Sequence, residues 1–281
     1  MDQKPLISIV IPVYNCAGYV NETIQSVVNS SYPNWEIILI NDGCTDRSPA
    51  VCKEWETKYP EKIRLIDQRN QGPSVARNVG IFYARGEFIL PLDSDDKIHP
   101  EYIGLAIAQF QSDEQTKVVY CEAEKFGEKS GPWNLKPFSL KQLALDNMIF
   151  VSGVFRKKDW EDVGGYDPRL IWGWEDWEFW INLLKHGGKV VKLPQVGFYY
   201  RIRKGSRRKS TNKAAKRLTI DLLNKKHPEF FEHYLHGPLR NPRGISILVN
   251  GIHSLLAWKP SGIGKNMAVL IHEKRKPQPL T

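Results

Sequence analysis

Residues Phe88–Ile98 read FILPLDSDDKI, an apolar run of strand length that ends in three carboxylates, Asp93, Asp95 and Asp96. Like charges at that spacing repel, and the end of a buried strand solvates them poorly. The stretch is either a solvated turn ahead of the helix at Pro100 or a group of charges that holds something positive. What surrounds it decides between the two.

Working outward, Leu6–Tyr14 (LISIVIPVY), Glu36–Asn41 (EIILIN) and Ile63–Asp67 (IRLID) share the strand length and the β-branched content. Helical stretches separate them. Val20, Ile24, Val27 and Val28 recur at helical spacing, Asp46–Tyr59 offers Asp46 or Ser48 as a cap with Pro49 early, and Ser74–Ala84 forms a third helix. This β-α-β-α alternation predicts an α/β fold with a mainly parallel, doubly wound sheet. Ligands of such sheets sit beyond the carboxyl ends of the strands. There the polar residues gather: Pro12, Tyr14 and Asn15 after the first strand, Asn41–Asp46 (NDGCTD) after the second, Asn70–Pro73 (NQGP) after the third, and DSDD after the fourth. One such end is an ordinary turn; four on one sheet edge describe a site.

After about residue 113 the pattern is less regular. Ile149–Asp167 reads as a strand, a loop and a short helix ending at Gly164–Gly165, and a further helix runs from about Glu175 to the Gly187–Gly188 pair. Lys189–Leu193 and Val196–Arg203 read as a closing pair of strands. Beyond Lys204 come a basic linker, a helix near Ala214–Lys226 and the apolar segment Ile245–Trp258.

Of the 281 residues, 41% are hydrophobic and 25% charged, the composition of a soluble globular protein with ample material for a core. No run reaches the roughly 18 apolar residues of a membrane span. The first apolar run lacks a basic flank and reads as a strand, not a signal peptide. Cys16, Cys44, Cys52 and Cys121 show no CxxC pair and no zinc spacing, which suits reduced thiols in a cytoplasmic protein. Residues 201–281 hold 18 Lys and Arg against 4 Asp and Glu, whereas the first 200 are mildly acidic. A polyanionic surface is the expected partner of such a tail. No GxGxxG follows the first strand and no GxxxxGK[ST] occurs, which argues against a dinucleotide oxidoreductase or a P-loop hydrolase. The DSDD group suits Mg²⁺ or Mn²⁺, which take one or two carboxylates plus substrate phosphate oxygens.

Taken together, IPVYN (Ile11–Asn15), NDGCTD, NQGPSVARNVG (Asn70–Gly80), LDSDD (Leu92–Asp96), VSGVFR (Val151–Arg156) and WGWEDWEF (Trp172–Phe179) make the chain resemble the family 2 glycosyltransferases from about Leu6 to Arg203. The resemblance implies the GT-A fold, a Rossmann-like nucleotide-diphospho-sugar transferase architecture, over residues 1–205. Residues 1–113 would be its nucleotide-sugar half, 114–205 its acceptor half, and 206–281 a basic helical extension. It implies inverting transfer from a nucleotide-diphosphate sugar, a UDP-hexose first among them, to a saccharide or lipid-linked saccharide, in cell-surface polysaccharide synthesis.

Residue by residue, the resemblance sets Pro12, Tyr14, Asn15 and Asp42 around base and ribose, with Asp42 accepting from the base and Arg77 close to the nucleotide. Asp93 would face the ribose and Asp95 would ligate Mn²⁺ or Mg²⁺, with Asp96 beside them. Asp176, next to Glu175, would be the general base, typically worth about 10²–10⁴-fold. Gly153 and Trp174 would line the acceptor side, with the other tryptophans of that stretch divided between pocket and core. One departure stands out: Arg203 occupies the position of the histidine in the family's YRxH. Arginine cannot ligate a metal but pairs bidentately with phosphate, so Arg201, Arg203 and Lys204 are expected to help neutralise the diphosphate.

Two other classes stay open: a nucleotide-sugar pyrophosphorylase, whose Gly-rich N-terminal loop is missing here, and a polyanion-binding module suggested by the tail. No nucleic-acid partner is expected. Ile245–Trp258 is expected to touch an anionic membrane at its inner face, or else to pack on the body or an oligomer partner.

Overall fold

The computed structural model describes residues 4–204, 212–242 and 244–257. Its first half is a parallel block of β1 (Ile7–Val13), β2 (Trp35–Asp42), β3 (Ile63–Gln68) and β4 (Phe88–Pro91). β1 and β2 are apolar almost without a break because helices cover both faces. α1 (Val20–Val28) turns Val20, Ile24 and Val27 inward, as their spacing predicts. α2 (Ser48–Lys58) begins where Asp46 accepts from the Ser48 N–H (2.9 Å) and Oγ–H (2.5 Å). α3 (Pro73–Tyr83) lies directly on the sheet: a Cβ at Gly80 would stand 2.3 Å from Val10 Cγ1.

The second half adds β5 (Lys97–Ile98), β6 (Thr116–Gly127), β7 (Gly131–Pro132), β8 (Val154–Arg156) and β9 (Lys189–Ile202). The sheet runs β3-β2-β1-β4-β8-β6-β9-β5, with β7 paired to β6. β8 is antiparallel to both β4 and β6, while β6 and β9 are parallel. Two expectations need correction here. The predicted strand pair at 189–193 and 196–203 is one strand, β9, whose register against β6 shifts around Cys121–Ala123, opposite the break at Pro194–Gln195. β6 itself falls where the sequence reading places no strand, because Lys117, Glu122, Glu124 and Lys125 interrupt its apolar residues.

The helices of this half are α4 (Tyr102–Ser112), α5 (Leu140–Leu143), α6 (Lys157–Val163), α7 (Glu175–Leu184), α8 (Lys213–Lys226), α9 (Pro228–Leu235) and α10 (Ser246–Ala257). Leu223, Phe230, Phe231, Leu235 and Leu239 belong to the same apolar core as the sheet, so α8 and α9 pack onto the body. Polar contacts fasten them. Glu178, fully buried on α7, has Lys226 Nζ and His227 Nε2 each 2.8 Å from its Oε1. Lys226 also reaches Asp167 at 3.3 Å. On α10, Asn250 turns inward and donates to the carbonyls of Leu235 and Pro238, leaving Ile245, Leu248 and Ile252 exposed. Trp258 and the rest of the tail lie outside the described residues. Among those described, no helix is long and apolar enough to cross a membrane.

Candidate active site

The carboxyl ends of β1, β2 and β3 form one laced edge. Asn15 sits in the left-handed region (φ 49°), which Asn tolerates better than most residues, and its Oδ1 accepts from Thr45 N–H at 2.8 Å. Asn41 Oδ1 accepts from Cys44 N–H at 3.0 Å. Asp42 is buried. Its Oδ1 accepts from Gln68 Nε2 (2.7 Å) and Gln71 N–H (2.8 Å), and its Oδ2 from Gly72 N–H (3.0 Å). It therefore shapes the NQGP loop while facing the same edge. Gly72 needs its freedom there, with φ at +82°. Pro12 is half-buried beside these loops, and Tyr14 projects from them, half exposed.

The carboxylates of the β4–β5 loop each meet a basic residue of the chain. Asp93 Oδ1 accepts from Arg77 Nη2 at 2.7 Å, and Asp95 Oδ2 from Arg203 Nε at 2.5 Å. Asp96 Oδ1 accepts from the backbone N–H of Arg201 at 2.8 Å, and the Arg201 side chain donates to the Asp95 carbonyl (2.7 Å) and to Glu22. Burial and then its carboxylate neighbours Asp95 and Asp93 push the Asp96 carboxyl well above the usual range. Asp95 moves the same way, burial first and Asp93 second, against the pull of Arg203. Asp96 Oδ2 is buried without a hydrogen-bond partner.

Arg77 does more than the sequence suggests. Its side chain is 1% exposed, and besides Asp93 it binds Glu175 Oε1 through Nη1 at 2.9 Å. Burial opposes its charge, but these two carboxylates outweigh burial and raise its pKa. The predicted metal loop and the predicted catalytic helix are thus joined by one guanidinium.

α7 is entered through two left-handed residues, Gly173 (φ 110°) and Trp174 (φ 66°). For a tryptophan that conformation is strained. Asp176 Oδ1 accepts from Trp177 N–H (2.8 Å), and Oδ2 accepts from Asn147 Nδ2 (2.9 Å). Burial, then the neighbouring Glu175, push its carboxyl up to about 7, with Arg77 pulling the other way. Trp177 and Trp180 are core residues whose Nε1–H groups donate to the Leu143 and Ile149 carbonyls. Trp172 is about half exposed and Trp174 half-buried. At Gly153 a Cβ would come within 3.2 Å of the Trp180 ring, so the loop lies close against α7 there. Asn147 was not among the predicted site residues: a lone Asn in an irregular stretch carries no sequence signal. A groove of about 650 Å³ lined by Asn78, Phe82, Tyr83 and Trp160 shares none of the predicted site residues.

Among the described residues, no group of three or more His, Cys, Asp or Glu could by itself hold a metal ion. Asp93 and Asp95 offer two carboxylates at the rim, which is what Mg²⁺ or Mn²⁺ needs when phosphate oxygens and water complete its shell. The residues fit a metal that arrives with a substrate.

Comparison with known proteins places this geometry. A family model described as "Glycosyl transferase family 2" matches residues 8–213. The "Minor teichoic acid biosynthesis protein GgaA" of Bacillus subtilis (strain 168) is 30% identical over 212 residues, covering 71% of this chain and 48% of that protein. The chain spans about half or less of the length of the first curated relatives it matches. Among solved structures, S. aureus TarS 1-349 in complex with UDP-GlcNAc superposes with a TM-score of 0.67 at 20% identity, over 82% of this chain and 71% of that one. The mannosyltransferase PcManGT from Pyrobaculum calidifontis, in complex with GDP-Man and Mn²⁺, gives 0.63 at 18%, over 97% and 80%. At these identities the structural likeness establishes the fold, which is GT-A.

Proposed function

From the premise that this chain belongs to glycosyl transferase family 2, we propose that it transfers a sugar, with inversion, from a nucleotide-diphosphate sugar to a saccharide hydroxyl in cell-surface polysaccharide synthesis. UDP-hexose is the first donor candidate, supported by the fold shared with a protein solved with UDP-GlcNAc. The observation that carries the reading is Arg77: it holds Asp93 and Glu175 together and so sets a phosphate-side carboxylate cluster beside a proton-accepting one.

Pro12, Tyr14 and the Asp42-ordered loop hold the base, Asp93 faces the ribose, and Asp95, with Asp93 adjacent, would hold Mn²⁺ or Mg²⁺. The chemistry such a metal would supply there is neutralisation of charge on the departing diphosphate. Asp176, ionised, takes the proton of the acceptor hydroxyl as that oxygen attacks C1. The bond from C1 to the diphosphate oxygen breaks, and the nucleoside diphosphate leaves. Asn147 holds the carboxylate of Asp176 in place, and a base titrating near neutrality is efficient at working pH. Trp174 and the Gly153 loop form the acceptor side. A lipid-linked acceptor at an anionic membrane surface is supported by the exposed stripe Ile245, Leu248 and Ile252 beside exposed Arg240. Flotation with anionic vesicles tests that part, and absence of binding removes it.

The main test is thermal unfolding against UDP, dTDP, GDP, ADP and CDP, with and without Mn²⁺. A ligand at about 100 times its Kd adds roughly 2.7 kcal/mol to stability. A shift with one diphosphate that grows with Mn²⁺ is expected. No shift with any of the five, with or without Mn²⁺, overturns the reading.

A further inference from the structure

Asp42 is buried at the carboxyl end of β2, and donors of the chain already meet both of its oxygens. Oδ1 accepts from Gln68 Nε2 at 2.7 Å and from the Gln71 N–H at 2.8 Å, whereas Oδ2 accepts from the Gly72 N–H at 3.0 Å. Gln68 stands opposite Asp42 in the register of β2 and β3. One step back in that register, Asn41 Nδ2 donates to Asp67 Oδ1 at 2.8 Å, so side-chain bonds tie this end of the two strands together twice.

A carboxylate accepts about four hydrogen bonds, two at each oxygen. Oδ1 is therefore full, and the position left over is on Oδ2. The Gln68 amide cannot be turned round, because a carboxylate only accepts and Nε2 must face it. Its Oε1 is then buried without a protein hydrogen-bond partner, a placement that costs stability. Two backbone donors already tie the loop to Asp42; what Gln68 adds is the filling of Oδ1.

Nucleobases differ in what they bring to such a carboxylate. Uracil carries a single N–H, at N3, between two carbonyl groups, and it needs one acceptor position. Guanine presents N1–H and its 2-amino group side by side, a fork that spans both oxygens of a carboxylate. Here the 2-amino group would meet an Oδ1 already filled by Gln68 and Gln71, and it would go unpaired beside two other donors. A mismatch of that kind discriminates more sharply than a difference in apolar fit.

We infer that Gln68 is a specificity-determining residue: by filling Oδ1 of Asp42 it leaves one acceptor position, which admits the N3–H of a uracil nucleotide and rejects the two-donor edge of guanine. This rests on the nucleotide-sugar reading above, with Asp42 at the base.

The test measures dissociation constants of the full chain for UDP, GDP and inosine diphosphate by isothermal titration calorimetry, all with Mn²⁺. Hypoxanthine is guanine without the 2-amino group and keeps N1–H, so the two purines isolate the rejected donor. The wild type should bind UDP and inosine diphosphate more tightly than GDP, the inosine nucleotide by about 5–150-fold, the range for one unpaired donor. Gln68→Met removes the side-chain donor at nearly the same volume and frees a position on Oδ1. Its affinity for GDP should rise until the preference for inosine diphosphate is lost. GDP bound by the wild type as tightly as either of the others overturns the inference, whether or not the variant folds. So does a preference for inosine diphosphate that survives undiminished in Gln68→Met, once a circular dichroism melt shows that the variant folds. Both results leave the nucleotide reading in place, since nucleotides bind. If none of the three binds, the inference falls, and the melts with five diphosphates decide separately whether the nucleotide reading falls with it.

Discussion

Two acidic pairs face each other across Arg77, and they differ in the donors that meet them. Asp93 and Asp95 each meet a guanidinium, Arg77 and Arg203, whereas Glu175 shares Arg77 and Asp176 receives an amide N–H from Asn147 and a backbone N–H from Trp177. The first pair sits against two guanidinium cations. At Asp176, balance is incomplete and the carboxyl rises to about 7, so what it can exchange is a proton. On the function proposed above, the same side-chain chemistry would serve electrostatic neutralisation in one place and general base catalysis in the other.

The strongest way to break the comparison is Asp176→Asn. Turnover should fall by about 10²–10⁴-fold with nucleotide binding kept, as separate kcat and KM measurements and nucleotide melts would report. The same substitution should raise the melting temperature at pH 8. The folded-state pKa lies above the ordinary carboxylate value, so the native state keeps a proton that the unfolded chain has released. This group's contribution to stability therefore declines as pH rises from about 4 to about 7, and removing the charge removes the decline. A variant that loses turnover and melts lower at pH 8 would count against a poised base.

Arg77→Met attacks the link itself. It leaves buried Glu175, and the more exposed Asp93, without their shared cation, so urea unfolding should show a loss of about 3 kcal/mol, most of it from the buried Glu175. A loss below about 1 kcal/mol would mean the two clusters do not depend on each other. The mildest change sharpens the contrast. In the wild type, kcat/KM should fall as pH drops below about 7, as the Asp176 base becomes protonated. Asn147→Ala removes a donor that favours the ionised form, so that acid limb should move up by about one pH unit. An unmoved limb would assign the titration to another group.

How much was legible in the sequence differs between the two halves for a physical reason. β1, β2 and β4 are buried on both faces, so they appear as nearly unbroken apolar runs, and the loops after β1 to β4 carry the polar residues that the fold gathers at one edge. β6 and β9 mix charged and apolar positions and pair with each other across more than sixty residues of chain. Neither run declares itself locally, and β9 looked like two strands because Pro194–Gln195 marks a bulge. α9, opened by Pro228 straight after α8, is likewise invisible without its packing. At the site, Asp93, Asp95, Asp96, Glu175 and Asp176 were legible because acidic residues cluster in short motifs. The reach of Arg77 to Glu175, across 98 positions, and the support of Asn147 for Asp176, across 29, depend on tertiary folding alone.

The buried Glu178 bears on how genes of this kind can recombine. It lies on the helix that begins with Glu175 and Asp176, yet Lys226 and His227, which face it, come from beyond the last strand of the sheet. A crossover placed near residue 205, where the sheet has closed, would separate that carboxylate from both basic partners and uncover Leu223, Phe230 and Phe231 as well. In shuffling or gene fusion, the heritable unit of catalysis therefore extends through Leu239, and a viable breakpoint lies after it.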